Sequence, residues 1–224
     1  MSRPPEAFAR NASDSFDGPG FRGQMKVGRY ETAMSKGRME AFSDGVLAII
    51  ITIMVLGLTP PRGPDPVGLL DVMPTLISYV LSFVLLGIYW NNHHHLLQAV
   101  KQVDGRVLWS NLHLLFWLSL IPFTTAWMGR NNFAAWPVAI YGLVLTLAAV
   151  AYFLLTQSLI ALHGAGSTIA AAVGRDIKGR TSLAIYVAAV LLAFVNARLA
   201  FGMYVLVAVL WFVPDRRIER ALGR

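Results

Sequence analysis

Cysteine is missing altogether from the 224 residues, which removes disulfides, thiolate-ligated zinc and thiol nucleophiles from the possible chemistry. Charge is scarce as well: only 14% of residues are Asp, Glu, Lys or Arg, against about 25% in an ordinary soluble domain. No Walker loop, dinucleotide fingerprint or nucleophile elbow occurs, so an enzyme is not expected. A Thr-Val-Gly-Tyr-Gly segment, whose carbonyls would form an ion filter, is also lacking. The first 36 residues hold no apolar core long enough for a cleavable signal.

What is present is apolar sequence. Hydrophobic residues make up 56% of the chain, and several runs reach the length of about 20 residues that a bilayer-spanning helix needs. The expected fold is therefore an all-α integral membrane protein, held by packing and interhelical hydrogen bonds rather than by burial from water. Spans are expected at about 38–58, 67–100, 107–128 and 133–162, with Pro122 late in the third. Residues 181–213 carry two runs of about 15 residues divided at Asn196-Ala197-Arg198. They fit two short spans or one re-entrant hairpin, and two spans are preferred. Between them and the fourth span lies a small, basic loop, 163–180. Residues 1–36 read as a cytosolic arm, 37–213 as the membrane domain and 214–224 as a basic tail.

The net charge of +7 raises nucleic acid as a partner, but its distribution points elsewhere. With the N-terminus inside, 16 of the 19 Lys and Arg fall on the cytosolic side, leaving Arg62, Arg130 and Arg198 outside. Both termini are expected in the cytosol, and no nucleic-acid partner is expected.

The stretch Arg38-Met-Glu-Ala-Phe42-Ser43-Asp44-Gly45, followed by the apolar run to Leu58, carries acids at the edge of a span, where ionisable residues point to function. Taking about 100° per residue with Ile49 at zero, Leu56 falls near −20°, Ile53 near +40° and Thr52 near −60°. Ile49, Thr52, Ile53 and Leu56 thus form an apolar stripe with one hydroxyl. Ala41, Gly45, Ala48 and Thr52 form a neighbouring stripe of small residues, which lets backbones approach closely. Glu40 and Asp44 lie on the far side and need donors from other helices. Alone, this pattern also fits an ordinary packing face with a satisfied capping acid.

A second polar string, Tyr89-Trp90-Asn91-Asn92-His93-His94-His95, ends the second span, and Asn111 stands near the start of the third. Consecutive histidines on a helix point about 100° apart, so the three cannot close around one metal ion. Hydrogen bonding by one or two of them is the expected role. The Trp residues cluster near membrane ends, as interfacial anchors do. His163, Asp104 and Asp176 are read as loop or flanking residues without chemistry.

Arg38-x-x-x-Phe42-Ser43-Asp44-Gly45 at the start of the first span resembles the signature of the transmembrane protein 175 family, the lysosomal potassium channel of animals and its bacterial and archaeal relatives. The Trp90-x-x-His93-His94 string resembles that family's second-helix motif, except that His95 stands where an Arg is common. The resemblance extends over about residues 36–213. It implies a homo-tetramer of six-span subunits whose first helices line a central pore. It also implies Ile49 as the main constriction, Thr52 as the layer relevant to selectivity, and Leu56 as a further apolar ring beside Ile53. A histidine of the string, with Asn111, is implied to tie down the Arg38, Ser43 and Asp44 group, so that Asp44 orients the pore helix without touching ions.

On this reading the chain is a potassium-preferring channel of a bacterial plasma membrane, its partners other copies of itself, membrane lipids and the permeant ion, with no cofactor. A proton- or cation-coupled transporter using Asp44 and His94 is the alternative, although neither internal repeats nor broken midplane helices stand out. A haem redox protein would need histidines facing each other across the membrane, whereas these cluster at one end.

Overall fold

The computed structural model describes residues 36–61, 63–174 and 176–212. Almost all of the expected arm (1–36) and the whole expected tail (214–224) lie outside them. The described residues form eight helices: α1 Lys36–Leu56, α2 Gly68–Gln98, α3 Gly105–Ser119, α4 Ile121–Arg130, α5 Ala135–His163, α6 Thr168–Val173, α7 Ile177–Leu192 and α8 Ala197–Phe212. Four stretches are long and apolar enough to cross a membrane: α1, α2, the 26 residues of α3 with α4, and α5. The protein is thus an all-helical integral membrane protein. α7 and α8 have 16 residues each, about 24 Å at 1.5 Å per residue, short of a hydrocarbon core of about 30 Å.

The third span covers Gly105–Arg130, close to the 107–128 expected, and divides into two helices at Leu120. Pro122 explains the break, since it has no N–H for the carbonyl of Leu118 and its ring crowds that carbonyl. The Leu118 carbonyl accepts instead from the N–H of Leu120, and Thr124 Oγ1 donates to the carbonyls of Leu120 and Ile121, each at 3.2 Å. The basic loop after α5 is not featureless either. It contains α6, capped by Ser167, whose Oγ accepts from Ala170 N.

Each spanning stretch, α3 with α4 counted as one, reverses direction relative to the one before, as the side-chain pairs at the two ends show. Trp90 of α2 meets Asp44 of α1, Ser110 of α3 meets Ser158 of α5, and Trp211 of α8 meets Ser182 of α7, all at one end. At the other end Arg130 of α4 reaches Gly57 beyond α1, and Trp136 of α5 stacks edge-on against Phe194 after α7. α5 is the central post: it packs against α3, α4, α7 and α8 and buries residues all round.

Two glycines set how closely helices pack. A Cβ at Gly129 would lie 2.6 Å from the Thr75 Cα, so α4 and α2 touch backbone to backbone there. At Gly142 the ring of Tyr204 from α8 occupies the space of the missing side chain. One buried polar cluster joins three helices inside the membrane: Ser82 Oγ lies 2.7 Å from Thr125 Oγ1 and 3.0 Å from the Tyr141 hydroxyl. In hydrocarbon these hydroxyls have only each other, which fixes the register of α2, α4 and α5.

Candidate ion pathway and its supporting network

α1 buries Met39, Ser43, Leu47, Ile50 and Met54, spaced three or four apart, against α2, α3 and α4. Everything on the opposite face is left uncovered by the subunit. Ile49 is 58% exposed, Ile53 52% and Leu56 82%; Thr52 and the small residues Ala41, Gly45 and Ala48 are exposed with them. A Cβ at Gly45 would meet nothing within 4 Å. This open arc spans roughly 160° of the helix, from Val55 round to Ile53.

The arc has an internal order that the stripe alone did not give. Ile49 and Ile53 border a groove between α1 and α4, shared with Pro122, Phe123 and Ala126. Gly45, Thr52 and Leu56 stand clear of that groove, nearer the middle of the arc. Thr52 Oγ1 donates to the carbonyl of Ile49 at 2.9 Å. Its proton is thereby directed along the helix, leaving the oxygen lone pairs outward.

On the buried side a chain of donors anchors the start of α1. His93 Nε2 and Asn111 Oδ1 are 2.7 Å apart; Asn111 Nδ2 donates to Ser43 Oγ at 2.9 Å; Ser43 Oγ donates to the Met39 carbonyl at 2.8 Å. Because the Asn111 oxygen can only accept, the His93 proton resides on Nε2. Helices α2, α3 and α1 are joined through three side chains that are all buried.

Asp44 is held separately and is only partly covered: Trp90 Nε1 donates to its Oδ1 at 3.0 Å. His94 stacks on Trp90, accepts from Gln98 Nε2 at 2.8 Å and places Nδ1 3.5 Å from Glu40 Oε1. The expected cluster therefore divides. His93, Asn111 and Ser43 form one group, and Trp90 with Asp44 another, with His94 turned to Glu40. Arg38, Phe42 and Gly45 lie on the open face and join neither, and Phe42 is 55% exposed. His95 Nδ1 is a buried nitrogen without a hydrogen-bond partner. Among the described residues no group of three His, Asp or Glu is placed to hold a metal ion.

Three residues read as inert have structural work. Asp104 caps α3 through Val107 N at 2.8 Å, and Asp176 caps α7 through Gly179 N at 3.1 Å. His163, at the end of α5, accepts from the backbone of Lys101 at 3.3 Å and so fastens the α2–α3 connection. The Asp caps were readable as Asp three residues before a helical amide, whereas the His163 contact joins segments 62 residues apart.

Residues 38–122 match the family model described as endosomal/lysosomal potassium channel TMEM175. A protein of Chryseobacterium sp. named potassium channel HX13_20290 is 50% identical over 189 residues, covering 84% of this chain and 98% of that protein. A zebrafish protein (Danio rerio) named endosomal/lysosomal proton channel TMEM175 is 27% identical; the match covers 72% of this chain but 30% of the zebrafish protein. The crystal structure of a lysosomal potassium-selective channel TMEM175 homolog from Chamaesiphon minutus superposes with a TM-score of 0.69 at 26% identity, covering 80% of this chain and 96% of that one. An all-helical bundle with these likenesses is an ion channel of the membrane and not an enzyme. More narrowly, the chain belongs to the TMEM175 family.

Proposed function

We propose that the protein is a potassium-preferring cation channel formed by four copies of a six-span subunit, α3 with α4 counting as one span and α7 and α8 as the short fifth and sixth. The observation that carries this reading is the open arc of α1. An apolar helix face that its own subunit leaves bare, beside small residues that admit a neighbouring backbone, is satisfied by symmetric copies around an axis. In that arrangement Ile49 forms the narrowest ring, Leu56 and Ile53 line further apolar levels, and Thr52 offers hydroxyl oxygen to a dehydrating ion. A ring of branched side chains gives an ion no ligand, so it gates by dewetting and must dilate to conduct. The named bacterial relatives being potassium channels supports the ion preference.

Asp44 and the His93–Asn111–Ser43 chain orient the pore helix from behind and do not meet the ion. Residues 37–213 form the channel domain of a bacterial plasma-membrane protein with both termini in the cytosol, a topology that the excess of Lys and Arg on one side supports. The protein conducts without a cofactor.

The test is reconstitution of the full chain into liposomes under an imposed potassium gradient. Rapid, potential-driven, non-saturating flux that favours potassium over sodium is expected. Slow, saturable exchange coupled to protons would replace the channel by a transporter.

A further inference from the structure

A second cavity, of about 350 Å³, lies away from α1 between α2, α5, α7 and α8. It is within the size range of small-molecule sites, and its inner wall is apolar, formed by Leu85, Ile88, Phe153 and Leu183. It runs from the middle of α5, at Ala149, to the membrane end where α7 begins and α8 stops. There the wall becomes polar: Arg180 and Asp176 form the rim, and Lys178 Nζ sits 5.9 Å from the Trp211 ring centroid. Trp211 is oriented by its indole N–H donating to Ser182 Oγ at 2.8 Å.

We infer that this cavity is a phospholipid site, with an acyl chain in the apolar part and the phosphodiester at Arg180. The lining extends along α7 from Asp176 to Tyr186 and along α2 from Leu85 to Asn92, so the cavity runs beside the helices, as an acyl chain does. The change from hydrocarbon to charge occurs at the level where headgroups lie. Arg180 is exposed, and its planar guanidinium suits a phosphate better than a point charge would. Among the described residues that line the cavity Asp176 is the one carboxylate, and it accepts from the α7 amide of Gly179 at 3.1 Å. Arg180 also lines the mouth, and a basic side chain there is what holds an anionic headgroup in pockets between spanning helices.

The test uses the purified full chain in mild detergent and native mass spectrometry, with three probes: dioleoyl phosphatidylglycerol, dioleoylglycerol of the same chains, and inorganic phosphate. Wild type should retain phosphatidylglycerol about fivefold better than dioleoylglycerol, the preference expected of one well-placed cation. Arg180→Gln should reduce phosphatidylglycerol to the level of dioleoylglycerol, with elution volume and melting unchanged. Leu183→Trp should lower retention of both lipids by filling the cavity; Ala149→Leu fills the same space from α5 if the first variant reduces folded yield. Equal retention of the two lipids by wild type would overturn the phosphate contact. So would undiminished phosphatidylglycerol in Arg180→Gln. Competition by inorganic phosphate alone would show an anion site without a lipid, and unaltered retention in both filling variants would remove the cavity from the argument.

Discussion

The amide of Asn111 donates to the hydroxyl of Ser43 across 2.9 Å, and through that bond α3 holds the first turns of α1. The bond is one link in a directional relay from His93 to the Met39 carbonyl, in which each group donates to the next. No water competes for these groups in a bundle interior, so the relay fixes both the rotation and the depth of α1. Rotation matters because one face of α1 is buried in the subunit and the other is left open.

Asn111→Ala should destabilise the subunit more than any change on the open face. Asn111 is 1% exposed, and its removal orphans the His93 N–H, at about 1–3 kcal/mol, and takes from the Ser43 oxygen the hydrogen bond it accepts while its own bond to the Met39 carbonyl remains. Thermal melting of the detergent-solubilised protein checks this. A double variant with Ser43→Ala should be less destabilised than the two single costs added together, because both changes remove the same Asn111–Ser43 bond.

Asp44→Asn should be milder than a carboxylate at a membrane edge suggests. Read from the chain alone, Asp44 needs donors from other helices, and were these a buried cation, losing the charge would cost about 3–5 kcal/mol. The structure instead shows a half-covered carboxylate with a neutral indole donor, and the Asn carbonyl can accept the same hydrogen bond. A loss of about 1 kcal/mol is expected from Asp44→Asn and a similar one from Trp90→Phe, with ion selectivity unchanged in both. Altered selectivity in a well-folded Asp44→Asn channel would place the carboxylate in the ion path.

Gly45→Leu and Gly142→Ala should separate assembly from folding. A side chain at Gly45 meets nothing in its own subunit, so the subunit folds while packing against another copy is blocked. At Gly142 even a methyl group collides with the Tyr204 ring, an overpacking cost of about 1–3 kcal/mol. Gly45→Leu is expected to shift the oligomer to smaller species at unchanged melting temperature, and Gly142→Ala to lower the melting temperature. An intact oligomer in Gly45→Leu would mean that this stripe faces lipid.

How much of this was legible follows from which residues speak locally. Helical phase assigned Ile49, Thr52, Ile53 and Leu56 to one face, and hydropathy placed the four long spans, because both signals are carried by residues three and four apart. Pro122 was visible in the third span, but whether a proline kinks, breaks or is absorbed depends on the helices around it. The division of the polar cluster could not be read. Glu40 and Asp44 sit one turn apart on the same side, and only the position of α2 decides that Trp90 takes one while His94 takes the other. The centre of the open arc was likewise set by α4, whose Phe123 and Ala126 come up beside Ile49 and Ile53.

Ile49→Asn and Ile50→Asn are adjacent changes with opposite expected outcomes. Ile49 is on the open face, so an amide there should leave folding intact, wet the constriction and raise conductance while weakening potassium-over-sodium discrimination. Ile50 is 3% exposed in the subunit core, and burying an unpaired amide costs about 1–3 kcal/mol, so Ile50→Asn should lower the yield of folded oligomer. Bilayer recording and size-exclusion yield measure the two effects. Equal conductance changes in both variants would falsify the phase of the pore helix.

Thr52 allows the selectivity proposal to be tested without changing pore width. Its hydroxyl proton is already given to the Ile49 carbonyl at 2.9 Å, so the group can act toward the pore only as an acceptor, which is what a cation requires. Thr52→Val keeps the β-branched shape but removes that oxygen, and should reduce potassium-over-sodium selectivity with little change in conductance. Thr52→Ser keeps the oxygen and the same bond to the helix while losing a methyl group, and should retain most of the selectivity. If the two variants lose selectivity equally, the oxygen is irrelevant and the level is sorted by width. If neither loses any, the discriminating layer lies elsewhere along α1, and the next position to examine is the Leu56 ring one turn outward, where only backbone carbonyls could supply a ligand.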